Sequence, residues 1–189
     1  EHTIVVENGK RDVMNEAFRV LRTNFEFMAG KDKTSNVILL TSFNPGSGKT
    51  FLTMNIAVSL ALKHKKVLVI DGDLRKASTS AYVGSPKKGL SNYLSGGVDD
   101  VKSLIVPFKE YDNLRILPVG TIPPNPTELL YEERFKLLID DMRNEYDYVF
   151  IDCPPIDIMA DTQIIEQYVD RTVFVVRAGL LERSMLPEL

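Results

Sequence analysis

The stretch SFNPGSGKT, residues 42–50, decides how this chain is read. It ends in the Gly48-Lys49-Thr50 of a phosphate-binding loop. The general pattern GxxxxGK[ST], however, asks for a glycine five positions before Gly48, where Phe43 stands. The flanks supply the context. The apolar run VILLT (37–41) precedes the stretch and a helical segment over about 50–63 follows it, so the glycines lie between a strand and a helix. There Pro45, Gly46, Ser47, Gly48, Lys49, Thr50 and Phe51 form the candidate phosphate cradle. Backbone N–H groups from Gly46 to Thr50 and the following helix N-terminus attract negative charge. Lys49 reaches the β- and γ-phosphates, and the Thr50 hydroxyl is a candidate Mg²⁺ ligand. The competing reading is a glycine-rich turn with a solvated lysine, and the strand before and helix after argue against it.

Outward from this loop, four more strand-sized runs follow: VLVI (67–70), LRILPV (114–119), YVFI (148–151) and TVFVV (172–176). Helical segments are expected over 98–106, 126–145 and 159–168. Asn125 is placed as N-cap of the second, with Pro126 at its first position and Glu128 at the capping-box position. Near-continuous apolar strands separated by helices describe an α/β fold, a three-layer doubly wound and mainly parallel sheet buried on both faces. Ligands in such sheets bind beyond the carboxyl ends of the strands. Asp71 and Asp73 of VLVIDGDLRK (67–76) stand there, and so does Asp152 of YVFIDCPP (148–155). Asx residues commonly close turns. Two carboxylates at alternate positions on one edge nevertheless suit a metal ligand plus a general base, and an acid ending a strand downstream of a phosphate loop is a usual Mg²⁺ ligand.

Before the core, residues 12–28 have helical spacing. Met14, Phe18, Leu21, Phe25 and Met28 are expected to face the body, with Glu16, Arg19 and Arg22 outward. The domain plan is a single 1–189 unit: a linker over 1–11, the helix at 12–28 and a core over 35–189. Segment 76–97, rich in Ser, Gly and Lys, is expected to be a mobile surface loop. The chain opens on Glu1 and stops soon after an apolar strand, so both ends read as cuts, with the carboxyl end of the core truncated.

Composition narrows the class. A length of 189 residues with 44% apolar and 26% charged content is ordinary for one globular domain. A net charge of −3 speaks against a broad nucleic-acid footprint. The single Cys153 forms no internal disulfide, which favours a reducing compartment, and it reads as a small buried side chain. No apolar run approaches the roughly 20 residues that span a bilayer.

Together SFNPGSGKT, VLVIDGDLRK and YVFIDCPP resemble the Walker A, A′ and B elements of the bacterial tyrosine kinases that accompany capsular and exopolysaccharide export. GTIPPNPTELL (120–130) looks like the PPNP element of that family, and Glu16, Arg19 and Arg22 reproduce its ExxRxxR oligomerisation motif. The same fold serves ParA/MinD-type ATPases, whose loop carries a signature lysine. Aligned on GKT, that position is Asn44, followed by Pro45, which favours kinase over switch by resemblance.

The resemblance implies transfer of the ATP γ-phosphate to tyrosine with Mg²⁺ as cofactor. It places Lys49, Asp71 and Asp73 in catalysis and Thr50, Asp71 and Asp152 at the metal. Asp73 is the better candidate to orient or deprotonate the incoming hydroxyl, and the order of Asp71 and Asp73 is reversible. It further implies a homo-oligomeric ring, an octamer in the family. A transmembrane activator, fused or separate, and a place on the cytoplasmic face of the bacterial inner membrane also follow. The family phosphorylates its own C-terminal tyrosine cluster; the seven tyrosines here are scattered, and none forms a cluster. The alternatives are a ParA/MinD-type switch and a non-catalytic, nucleotide-gated assembly module of polysaccharide export.

Overall fold

The computed structural model describes residues 3–29, 36–109, 111–156 and 160–181. Its frame is a six-stranded sheet: β1 (Asn36–Ser42), β2 (Val67–Asp71), β3 (Val106–Phe108), β4 (Tyr111–Leu117), β5 (Tyr148–Asp152) and β6 (Arg171–Val175). The spatial order is β3-β4-β2-β5-β1-β6, parallel except for the antiparallel β3–β4 pair. Alternation along each strand divides the core in two. Val37, Leu39, Leu68, Ile70, Val149 and Ile151 face one apolar cluster, while Ile38, Leu40, Val67, Val69, Tyr148 and Phe150 face the other. Helices cover both faces, so the doubly wound, mainly parallel sheet expected from the apolar runs is the fold observed.

On the second face lie α1 (Val13–Ala29) and α2 (Lys49–Ala61). The Asp12 carboxylate caps α1 by accepting the Asn15 N–H at 2.8 Å. Phe18 meets Phe51 edge to face with ring centroids 5.9 Å apart, and Phe25 meets Phe150 at 5.8 Å. The expected stripe is shorter than its spacing implied: Met14 and Met28 are 45% and 40% exposed. Near the helix start a buried Asn15 takes the inward position instead. It donates to the Val5 carbonyl and accepts the Glu7 N–H, while Asn55 of α2 accepts the N–H groups of Val5 and Val6. The segment read as a linker therefore docks on the body through these amides, with Val6 buried.

Three further expectations are corrected. The helix placed at 98–106 is a single 3₁₀ turn, Val101–Leu104, followed by edge strand β3. The helix placed at 126–145 is two, α4 (Pro126–Leu130) and α5 (Glu133–Glu145), separated by extended Glu132. Asn125 caps no N–H of α4 with its side chain and instead donates to Glu128 Oε2 at 2.9 Å.

Segment 76–97 is built rather than loose. It holds a 3₁₀ turn at Ser80–Val83 and α3 (Leu90–Leu94), whose Leu90 and Ser91 N–H groups donate to the Pro118 and Val119 carbonyls beyond β4. Gly89 allows that approach, since a Cβ there would lie 2.1 Å from the Pro118 oxygen. The last helix, α6 (Ala160–Glu166), falls within the expected 159–168. Among the described residues no helix is long and apolar enough to cross a membrane.

Candidate functional site

The site grows from the carboxyl edge of the central strands. Parallel pairing sets Asp71 of β2 opposite Asp152 of β5, one strand spacing of about 4.8 Å apart. Leu40, near the end of β1, pairs with Asp152 on its other side. The phosphate loop leaves β1 two residues later and turns into α2. Gly46 and Gly48 adopt φ of +75° and +91°, where a side chain is strained, and a Cβ at either would meet nothing within 4 Å. Both observations describe an open backbone cradle. The Asn44 carbonyl closes its base by accepting the hydroxyls of Ser42 (2.8 Å) and Ser47 (2.7 Å).

A cleft of about 580 Å³ opens over this cradle, lined by Pro45, Gly46, Gly48, Lys49, Thr50, Phe51, Asp73 and Asp152 among others. Lys49 Nζ donates to Ser42 Oγ at 3.2 Å. Burial pulls its pKa below the usual lysine value, with Asp152 and Asp73 acting in the opposite sense. Thr50 Oγ1 donates to Asp152 Oδ2 at 2.5 Å. The structure thus gathers Lys49, Thr50, Asp73 and Asp152 in one cleft.

Asp71 is different. It is fully buried beneath the cleft and does not line it; its Oδ2 accepts the Ser80 N–H (2.7 Å) and hydroxyl (2.6 Å). Burial first and the neighbouring Asp152 second push its carboxyl up to about 7. Burial likewise raises Asp152, against the opposing hydroxyl bonds from Thr50 and Thr79. Cys153, buried beside these acids, is pushed well above the ordinary thiol value, in keeping with an inert packing role.

Among the groups that escaped the sequence reading are Thr79 and Ser80. Thr79 Oγ1 donates to the same Asp152 oxygen as Thr50, at 2.8 Å, and Ser80 ties Asp71 to the Val119 N–H. Both lie in the segment read as loop, and nothing local in STS marks either hydroxyl as a partner of an acid 73 or 9 residues away. Arg177, beyond β6, reaches the cradle rim by donating to the Gly46 carbonyl at 3.1 Å.

The donor set fits a hard divalent cation arriving with a nucleotide. Asp152 Oδ1 is buried without a hydrogen-bond partner, an expensive condition for a carboxylate oxygen beside a second acid. Among the described residues no group of three or more His, Cys, Asp and Glu is arranged to hold a metal by itself. Mg²⁺ needs no such cage, because it is commonly held by one or two carboxylates together with substrate phosphates.

The oligomerisation candidates lie elsewhere, on α1. Glu16 and Arg19 pair with each other at 2.5 Å, a solvent-exposed bond of small energetic weight. Arg22 turns inward and donates from Nη1 to the Ser59 carbonyl (3.1 Å) and hydroxyl (3.2 Å). A second cleft of about 560 Å³ lies between α3 and the PPNP segment, remote from Lys49 and Thr50 in its lining.

Comparisons with known proteins agree on the architecture. A profile of the AAA-domain family matches residues 35–169. The tyrosine-protein kinase Wzc of Salmonella typhimurium is 40% identical over 88% of this chain, which spans 23% of that relative's length. The tyrosine-protein kinase CpsD of Streptococcus agalactiae is 36% identical over 89% of this chain and 72% of its own. The kinase domain of the Escherichia coli tyrosine kinase Etk superposes with a TM-score of 0.85 at 32% identity, covering 92% of this chain and 67% of that one. The septum-site protein MinD of Pyrococcus horikoshii, solved with Mg-ADP, superposes less well, at 0.64 and 26% identity over 75% of this chain and 58% of its own.

Proposed function

The chain belongs to the bacterial tyrosine-protein kinases, and on that premise we propose that it transfers the γ-phosphoryl group of ATP to tyrosine hydroxyls with Mg²⁺ as cofactor. The observation that carries the reading is the convergence of Lys49, Thr50, Asp73 and Asp152 in the cleft over the phosphate cradle. Phosphoryl transfer asks a protein mainly for positioning and charge neutralisation. The N–H groups from Gly46 to Thr50 bind the phosphates, and Lys49 neutralises charge that develops on them. Mg²⁺ would supply further charge compensation at the phosphates, held by Thr50 and Asp152, while Asp71, buried beneath the cleft, would act on it through its charge from behind Asp152. Asp73 stands at the cleft wall to orient the acceptor hydroxyl and take its proton. Asn44 in place of a cross-subunit lysine supports the kinase over a dimer-gated switch.

Acceptor tyrosines in this reading belong to a C-terminal cluster outside the 189 residues, presented by a neighbouring copy in a ring. Glu16, Arg19 and Arg22 of α1 contribute to that ring. A membrane activator, fused or separate, brings the domain to the cytoplasmic face of the inner membrane, where phosphorylation regulates polysaccharide synthesis and export.

Replacing Lys49 tests the activity. Lys49→Met is expected to keep the wild-type melting profile and to abolish tyrosine phosphorylation, read by anti-phosphotyrosine detection on the full-length protein. Full activity in that variant refutes the reading. Asp73→Asn separates roles: retained Mg-nucleotide binding with lost transfer makes Asp73 the group acting on the hydroxyl, whereas lost Mg²⁺ binding makes it a ligand.

A further inference from the structure

We infer that Arg75, Thr127 and Asp161 form a clamp across three strand exits that holds Asp73 in register with the phosphate cradle, which makes Arg75 a positioning residue for phosphoryl transfer. The inference rests on the kinase reading for the role of Asp73, while the clamp itself stands on contacts. Asp161 is fully buried in the first turn of α6. Arg75 Nη1 donates to its Oδ2 at 2.9 Å, and Thr127 Oγ1 donates to its Oδ1 at 2.6 Å. Arg75 Nη2 completes the triangle by donating to Thr127 Oγ1 at 3.2 Å.

Both carboxylate oxygens and both terminal guanidinium nitrogens are thereby engaged within the triad. The cluster is a strut and offers little to a substrate. Its members come from three different segments that follow strands, Thr127 from the start of α4 and Asp161 from the start of α6. Arg75 follows β2, Thr127 follows β4 through the PPNP segment, and Asp161 follows β5. Those strands are consecutive in the sheet, so the clamp joins adjacent exits at the edge where the cleft opens.

Asp73 is coupled to the clamp by a short turn. Its Oδ1 accepts the N–H of Arg75 at 3.2 Å and of Lys76 at 3.0 Å, and its carbonyl accepts the Ala77 N–H at 2.9 Å. Ala77 closes the turn with φ of +51°, a left-handed conformation unusual for a residue with a Cβ. Such geometry persists where surrounding contacts over-determine it. The backbone that holds one oxygen of the Asp73 carboxylate is the backbone that carries the anchored guanidinium. These two side-chain bonds leave Oδ2 out, and Asp73 itself lines the cleft beside Lys49. An apolar contact would join the same segments without desolvating a carboxylate. A planar guanidinium whose two arms are held by a buried acid and a threonine hydroxyl fixes register as well, and register is what a group acting on an incoming hydroxyl requires.

The test compares Arg75→Met, Arg75→Lys and Thr127→Val with wild type in the full-length protein. Thr127→Val keeps the branched shape should Arg75→Met fail to fold. Three readouts are taken: Mg-ADP affinity, kcat with KM for a tyrosine acceptor peptide, and hydrogen exchange of the Arg75 and Lys76 amides. Expected are nucleotide affinity within about twofold of wild type, kcat lower by about ten- to a hundredfold, as for a catalytic group displaced by up to about an ångström, faster exchange at both amides, and partial recovery in Arg75→Lys. Wild-type kcat in folded Arg75→Met and Thr127→Val overturns the positioning role, as does an equal fall in nucleotide affinity and kcat. If the wild-type protein phosphorylates no tyrosine, the kinase reading fails on its own. Amide exchange then decides the clamp, with faster exchange supporting it and unchanged exchange overturning it.

Discussion

Replacing Asp71 with asparagine should make the nucleotide-free protein more stable at neutral pH and less stable in acid, so that the two stability curves cross. The buried carboxyl is raised from 3.8 to about 7, by burial first and by the charge of Asp152 second. A folded-state value above the unfolded one means that the native protein holds a proton the unfolded chain has released. The associated stability is fully present below about pH 3.8 and is lost as pH rises to about 7. At about 1.36 kcal/mol per pH unit, the loss approaches about 4 kcal/mol as an upper bound by pH 7.5.

Asparagine carries no charge to desolvate, which removes this loss. It also turns an N–H toward the Asp73 amide that Asp71 Oδ1 accepts at 3.3 Å, costing about 1 kcal/mol at every pH. The net expectation is a variant about 1 kcal/mol less stable at pH 4 and about 2–3 kcal/mol more stable at pH 7.5. Urea unfolding in EDTA at pH 4, 5.5, 6.5 and 7.5 measures the difference, with Asp152 present in both proteins. Parallel curves, with the variant offset by a constant amount, would refute the argument. Added Mg-nucleotide should stabilise wild type more than the variant at pH 7.5, because an ionised Asp71 gains a cation nearby.

Further outcomes follow from single contacts. Thr79→Val removes one of two hydroxyls on Asp152 Oδ2 and should cost about 1–3 kcal/mol in chemical unfolding, while raising the Asp152 carboxyl further. Gly89→Ala would drive a Cβ to 2.1 Å from the Pro118 oxygen, so α3 must leave its seat; a loss of at least about 1–3 kcal/mol is expected by thermal melting. Arg22→Ala should destabilise the isolated domain by about 1 kcal/mol through its bonds to Ser59. Sedimentation of Arg19→Ala/Arg22→Ala reads the ring separately, and an unchanged oligomer would remove these arginines from the interface.

Much of the architecture was legible because strands buried on both faces leave continuous apolar runs, and all five such runs are strands in the sheet. The sixth strand left no such trace. β3 is three residues long and contains Pro107, which a sheet tolerates at its edge, where β3 lies. The five-residue α3 has too few positions for a helical period, and its order comes from backbone bonds to the Pro118 and Val119 carbonyls.

For the site, local chemistry sufficed to single out Gly46, Gly48, Lys49 and Thr50, because a glycine-rich turn between strand and helix can be recognised within nine residues. It also marked Asp71, Asp73 and Asp152 as strand-end acids. It could not rank them. Strand register and depth separate Asp71, sealed beneath the cleft by Ser80, from Asp73 and Asp152, which line it. Thr79, Thr127 and Asp161 were invisible for a related reason: their partners lie 73, 52 and 86 residues away, and only the sheet brings those strand exits together. By itself the sequence determined which backbone could cradle a phosphate, since that depends on neighbours along the chain. Which acids share one oxygen, one proton or one arginine depends on neighbours across the sheet, and that the tertiary structure alone decided.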